Sequence, residues 1–482
     1  MTPTARLLAP LLVLALAACA APGATTKAEQ APTEETSAAA LDARFETLKA
    51  SPPELVAFLR TMPKGGDLHS HLSGAVYAES YIAWAAEDGV CVNRTTFFLV
   101  APPCDAAAGV PPVADTLSDE PFQFRLIDAL SVRNYATYPR TGHDQFFATF
   151  AMFDAAGDNR DADMLAEVMV RAADQNILYL ELMMSPGMSG ARRLAADLPW
   201  SGVGGLPALR AALPDSSLDT IVARTTAELD ATETKMRELL DCDSVHPPAC
   251  DVTVRYLAQV IRIFPPQQVF AQTLYGFRLV ENDPRFVGIN FVAPEDDHVT
   301  LRDYHAQMAM VGFAAAEMPD VPVALHAGEL AMGLAPPEDL RFHIREAVEI
   351  AGADRIGHGV DVMYEDDPYS LMAQMAERDV AVEINLTSND VILGIVGDDH
   401  PFMIYRAHGV PVLLSSDDEG VSRIDLTHEY ARAVETYDLS YAEVKELSFN
   451  SLRYAFAEER DALLAELASR FDTFEAGVLE GD

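Results

Sequence analysis

The spacing of short apolar runs constrains the fold of this chain more than any other feature. Runs rich in aliphatic and β-branched residues recur at Ile177 to Met184, Val254 to Ile263, Phe286 to Val292 and Pro322 to Glu329, then at Arg355 to Gly359, Val380 to Leu386 and Pro411 to Asp418. With the earlier run "PKGGDLHSHLSGA", that makes eight candidate strands. Amphipathic stretches such as "DADMLAEVMVRAADQ" and "LRFHIREAVEIAGA" lie between most of them. Strands that alternate with helices and carry apolar residues on both faces belong to a buried parallel sheet. Eight such units predict an α/β fold of the (β/α)8 TIM-barrel type. An open doubly wound sheet is the alternative, but no glycine-rich dinucleotide turn follows the first strand, and "KGG" precedes it. The segments 90–120 and 190–215 are poor in periodicity and rich in Pro, Gly and Ala, and are expected to be insertions over the barrel mouth.

The N-terminus is set aside from the fold. "LLAPLLVLALAAC" follows Arg6 and reads as a signal peptide over residues 1–18. "LAAC", Leu16 to Cys19, resembles the lipobox of bacterial lipoproteins, which implies lipidation of Cys19. Residues 19–40 lack apolar periodicity and are expected to be a flexible tether. Residues 41–62 are expected to be an N-terminal helical extension, 63–465 the barrel, and 466–482 a C-terminal tail. The expected location is the cell envelope, exported and lipid-anchored, with Ala20 favouring the outer membrane facing the periplasm. Membrane contact is then through the lipid only. In an exported chain disulfides persist, so the local pairs Cys91 with Cys104 and Cys242 with Cys250 are predicted. The net charge of -40 argues against a nucleic acid polymer as partner, which needs concentrated Lys and Arg.

Barrel enzymes carry their chemistry at the C-terminal ends of the strands, so the candidate strands are read there. The first ends in "HSH", and residues two apart share one face of a strand, so His69 and His71 project side by side. The fifth ends with His326 followed by Gly328 and Glu329, the sixth with His358, and the eighth with Asp417 and Asp418. A single histidine at a strand end is an ordinary core or loop residue, but four such strand ends are not explained that way. His69, His71, His326 and Asp417 form a nitrogen and oxygen set suited to one Zn2+ per chain, with room for a water. Fe2+ and Mn2+ accept the same donors. Such an ion lowers the pKa of bound water towards neutrality. Glu329 is placed for general acid and base work, with capping of the next helix as the bland alternative. His358 is placed to position or polarise the water, and Asp418 to accept hydrogen bonds from water and substrate.

These runs carry a resemblance. "LHSHLSGA", "LHAGE", "RIGHG", "TSN" at Thr387 to Asn389 and "SSDD" stand in the order found in the adenosine deaminase family, metal-dependent barrels of the amidohydrolase superfamily. "MPKGGDLHSHL", "EDDHVTLRDY", "LTHEY" and "NSLRYAF" resemble its secreted, growth-factor-related branch. The resemblance implies metal ligands at His69, His71, His326 and Asp417, a proton-transfer carboxylate at Glu329, and water-orienting groups at His358 and Asp418. The implied reaction is hydrolytic deamination of adenosine or 2′-deoxyadenosine: water adds to C6 of the adenine ring, Glu329 protonates N1, and the adduct expels ammonia to leave a 6-oxopurine. The implied partner is a small-molecule purine nucleoside; members of the branch often form a homodimer through an N-terminal helical extension, and the sequence leaves the oligomeric state open.

Two residues depart from the family pattern. Ser73 stands where typical members carry an acidic residue that reads the ribose, and a hydroxyl makes the weaker contact. Ala293 in "NFVAPED" replaces a glycine whose backbone meets the purine. With His71, Ser73 and Asp418 as expected substrate contacts, Glu181 in "YLEL" is a candidate substitute ribose contact, a helix cap or salt bridge being the alternative. One rival reading keeps the site and assigns another amino-purine, such as free adenine, or a cyclic amide. The other is a non-catalytic nucleoside-binding surface protein, which predicts the loss of at least one of Glu329, His358 and Asp418.

Overall fold

The computed structural model describes residues 34–481. At its centre run eight strands: β1 (Gly65–His71), β2 (Ile177–Met184), β3 (Thr253–Ile261), β4 (Phe286–Val292), β5 (Ala324–Ala327), β6 (Arg355–His358), β7 (Ala381–Ile384) and β8 (Val412–Leu414). β1 to β4 pair in sequence order, as do β5 to β8, all in parallel. Parallel bridges Ile289–Val323 and Ser70–Asp417 join the two halves into a closed ring, the (β/α)8 barrel. Every residue of β4 is buried, because one face packs on helices and the other fills the barrel, which is why the strand reads as one apolar run. Of the surrounding helices, Pro266–Asn282 is buried without a break from Val269 to Phe277, whereas others bury one stripe. Helix Asp161–Asp174 buries Ala162, Leu165, Val168 and Ala172, at the spacing of one helical face. Helix Tyr441–Arg453 starts at a capping box made by Ser440 and Glu443.

Both chain ends differ from expectation. A helix, Glu34–Lys49, begins inside the stretch 19–40 assigned to a tether, and Pro52–Thr61 follows it. Leu41, Phe45 and Leu48 supply a buried stripe at helical spacing, enough to hold this Ala-rich stretch against the body. The stretch 466–482 assigned to a tail lies largely in helix Arg460–Glu480, whose Leu467 and Phe471 are buried. The two ends meet: Phe58 stacks edgewise on Phe474 with ring centroids 5.1 Å apart. The signal peptide, Cys19 and the tether up to residue 33 lie outside the described residues. Among the described residues, no helix is long and apolar enough to cross a membrane.

Disulfides join Cys91 to Cys104 and Cys242 to Cys250. The segments 90–120 and 190–215 were expected over the barrel mouth, yet neither contributes a side chain to the cavity there. The first forms a short antiparallel ribbon, Cys91–Val92 with Leu99–Val100, which packs on helix Gly142–Gly157. Helix Met188–Ala195, leading into the second, packs on the outer helix Pro266–Asn282. The cavity is roofed instead by Gly142–Gly157, which presents Phe146, Phe147 and Phe150.

Candidate active site

Four donor atoms converge at the C-terminal mouth of the barrel. His326 Nε2 lies 3.1 Å from His69 Nε2 and 3.3 Å from His71 Nε2. Asp417 Oδ1 lies 3.5 Å from His69 Nε2 and 3.4 Å from His71 Nε2. Donors about 2 Å from one shared metal ion are separated by distances of this size. Burial opposes charge on these groups, yet Asp417 and Glu383 raise the proton affinity of His69 to about 10, while burial among cations drives His326 well below its ordinary value. The donor set therefore draws positive charge to its centre, and a divalent cation fits it.

Hydrogen bonds behind the cluster fix which nitrogen faces inward. His69 Nδ1 donates to Glu383 Oε2 at 2.6 Å, His71 Nδ1 to Gln259 Oε1 at 2.9 Å, and His326 Nδ1 to Asn290 Oδ1 at 2.8 Å. Each ring thus turns its Nε2 lone pair to the centre, the arrangement expected of metal ligands. His358 also comes within 4.8 Å of the His69, His326 and Asp417 donors, but it is built the other way. The Asn389 amide donates to its Nδ1 at 2.9 Å, so its Nε2 carries the hydrogen and cannot ligate. That Nε2 is buried without a partner, and burial lowers the His358 pKa to about 3, which keeps the ring neutral. Close approaches make room for the cluster. A Cβ on Gly357 would lie 2.6 Å from His69 Cε1, and one on Gly74 would overlap the Asp418 carboxylate.

Glu329 and Asp418 line the cavity beside these donors. Burial, with Asp417 and Glu295 nearby, pushes the Glu329 carboxyl well above the ordinary range, which favours its protonated form. Burial likewise raises Asp418, with His71 opposing and Asp417 reinforcing. Glu295 anchors the turn that carries Glu329: its Oε2 accepts from Glu329 N at 2.8 Å, and its Oε1 from Gly328 N at 3.0 Å and His343 Nδ1 at 2.6 Å.

The cavity measures about 380 Å3. Its floor is His71, Gln259, His326, Glu329, Asp417 and Asp418; its walls and roof are mostly Phe, Ile, Val, Ala and Pro. No Lys or Arg lines it, and Asp297 stands at its edge. Ala293 lines it with φ +91°, a conformation that favours glycine. Arg262, fully buried, holds this turn by donating to Ala293 O at 2.9 and 3.1 Å and to His326 O at 3.2 Å. Ser73 is not among the lining residues; its carbonyl accepts from Tyr81 Oη at 2.7 Å.

Glu181 is not a ribose contact. It lies inside the barrel below the cluster, where Oε2 accepts from Arg355 Nη2 at 2.5 Å and Oε1 from Tyr179 Oη at 2.8 Å. Arg355 Nε in turn donates to Glu383 Oε1 at 2.5 Å, so an ionic column runs from Glu181 up to His69. A carboxylate in the middle of a buried strand needs a partner inside the barrel, and Arg355 is that partner. Sequence reading passed over Gln259, Asn290 and Glu383, although each is a polar residue interrupting an apolar strand run. It also passed over the cluster of phenylalanines in "QFFATFAMF".

A closed eight-stranded barrel with three inward-facing imidazoles and a carboxylate at its C-terminal mouth defines a metal-site barrel of the amidohydrolase kind. Residues 128–472 match the family model described as adenosine deaminase, and the chain belongs to the adenosine deaminase family. His69 and His71 lie before that match, and the pairing of β1 with β2 and its bridge to Asp417 bring them to the site. Among curated relatives, an Escherichia coli adenosine deaminase is 35% identical over 162 residues, which cover 33% of this chain and 45% of that protein. The chain thus spans less than half the length of that relative. A zinc-bound amidohydrolase from Burkholderia ambifaria has the same fold at 18% identity, with a TM-score of 0.56 over 89% of this chain and 95% of that one. An Arabidopsis thaliana N6-methyl-AMP deaminase matches at 21% identity, with a TM-score of 0.57 over 87% of this chain and 98% of that one.

Proposed function

We propose that this protein is a zinc-dependent deaminase of adenosine or 2′-deoxyadenosine, forming inosine or its deoxy counterpart and ammonia. The observation that carries the reading is a buried Glu329 carboxyl lining the same cavity as His71, His326 and Asp417 of the donor cluster. His69, His71, His326 and Asp417 would hold one Zn2+ per chain. When bound, that ion supplies Lewis acidity that makes water nucleophilic at neutral pH.

This chain's residues do the rest. The apolar walls and the phenylalanine roof take the flat purine. Glu329 delivers its proton to the ring nitrogen next to the carbon under attack, which makes that carbon electrophilic. Asp418 accepts a hydrogen bond from the attacking water, and His358 Nε2–H donates to the same oxygen as charge develops on it. Addition of water and loss of the amino group as ammonia then balance the reaction. A lining with acidic groups and no Lys or Arg favours an uncharged nucleoside over a 5′-phosphate, so the preference should differ from that named for the N6-methyl-AMP deaminase. Export and lipid attachment at Cys19 would place this activity in the cell envelope, salvaging extracytoplasmic nucleosides.

The test follows absorbance change with adenosine, 2′-deoxyadenosine, AMP and adenine, with and without a chelator, alongside Glu329→Gln. Chelator-sensitive turnover of adenosine that Glu329→Gln lowers at least about 100-fold supports the reading. Turnover of AMP or adenine in preference to adenosine overturns the nucleoside assignment, and activity that persists in Glu329→Gln overturns the mechanism.

A further inference from the structure

His358 owes the direction of its hydrogen bonds to a residue on a distant loop. Phe402 N, a backbone group that only donates, donates to His400 Nδ1 at 3.2 Å. His400 therefore carries its hydrogen on Nε2, which donates to Asn389 Oδ1 at 3.0 Å. With its oxygen so engaged, Asn389 turns its amide nitrogen to His358 Nδ1, 2.9 Å away. The hydrogen of His358 is left on Nε2, a buried atom without a partner, on a ring that lies 4.9 Å from that of His69 and 5.1 Å from that of His326. His400, Asn389 and His358 are all buried, so water does not compete for these bonds. Burial lowers the His400 pKa to about 4, so the ring is neutral and can both accept and donate.

We propose that His400 and Asn389 are positioning residues that hold His358 as the Nε2–H tautomer, and so decide that it donates to the reacting oxygen and does not bind the metal. The chain of donors starts at the first turn of helix Phe402–Ala407 and has one consistent direction through two side chains. The proposal rests on the deaminase reading for its kinetic consequence, but the tautomer itself is independent of any substrate.

The substitutions separate direction from packing. Gln at position 400 offers one acceptor and one donor, as the neutral imidazole does; Leu offers neither. Asp at position 389 offers only acceptors, which draws the hydrogen of His358 to Nδ1 and reverses the ring. In zinc-loaded protein with 15N-labelled histidine, nitrogen chemical shifts should show His358 protonated at Nε2 in the parent and in His400→Gln, and at Nδ1 in Asn389→Asp. Asn389→Asp should lower kcat about 100-fold or more, with KM and zinc per chain near those of the parent. His400→Leu should lower kcat about tenfold, and His400→Gln should recover most of that loss. A parent ring protonated at Nδ1, an unchanged kcat in folded Asn389→Asp, or equal losses in His400→Gln and His400→Leu would each overturn the proposal. Should Asn389→Asp not fold, the parent spectrum and the pair at position 400 decide. If the parent deaminates no amino-purine, the function proposed above fails while the tautomer shifts still test this relay.

Discussion

The floor and the roof of the cavity are built on different principles. On the floor, His69, His71 and His326 each have a dedicated acceptor behind them, and each hydrogen bond has one allowed direction. The roof is helix Gly142–Gly157, which offers phenylalanine rings and is tied to the turn after β4 by His143 Nε2 and Asp296 Oδ1, 3.1 Å apart. The floor specifies orientation and charge, whereas the roof specifies shape. A floor residue therefore has few tolerable replacements, and a roof residue has several.

That difference ranks the expected effects. Asp417→Ala removes one of four donors and should lose the metal and all measurable turnover; metal analysis showing one ion per chain with near-normal kcat would break the floor as described. Glu383→Gln keeps the shape but weakens the hold on His69, and should lower metal affinity or kcat about 10- to 100-fold. Glu181→Gln leaves Arg355 with a single carboxylate, and should cost about 3 kcal/mol in denaturant unfolding with KM unchanged. A raised KM with normal stability would restore Glu181 to the substrate site.

Roof changes should be smaller. Phe147→Ala should raise KM about 2- to 10-fold, the worth of one aromatic contact of roughly 0.5–1.5 kcal/mol, with kcat and metal content unmoved. The smallest effect is a pH dependence. The Asp296 hydrogen bond outweighs burial and raises the His143 pKa above its ordinary value of 6.5. The charged pair is complete below 6.5 and is lost as pH rises through the raised value, so KM should climb on that side by no more than about fivefold. His143→Gln should flatten the profile; an identical profile would show that the pair does not hold the roof.

Much of the floor was legible in the sequence because its residues sit at strand ends, where alternation and barrel geometry dictate their direction. All eight strand runs appear in the structure, down to β2 at Ile177–Met184 and β4 at Phe286–Val292. What was not legible depended on contacts between distant segments. Glu181 reads as a strand-end acid until Arg355 is seen across the barrel. His400 has no local signature at all, since its role lies in a hydrogen bond to Asn389. The helix Arg460–Glu480 was missed because few of its apolar residues are buried, and its Phe474 finds its partner in the N-terminal helices. The phenylalanines of "QFFATFAMF" were readable as an excess over one helical face, but the face they would cover was not.

In barrels of this kind, the closed end and the open end are commonly separable, so that one can be altered for robustness while the other evolves. The column through Glu181, Arg355 and Glu383 links them here. Arg355 also reaches the Tyr454 carbonyl near the end of the helical body and lies against the Phe456 ring. Selection for heat resistance acting on the C-terminal helices therefore acts, through one guanidinium, on the orientation of His69. Variants chosen only for stability at this end should carry altered metal retention with them, which makes the two traits inherited together in this chain.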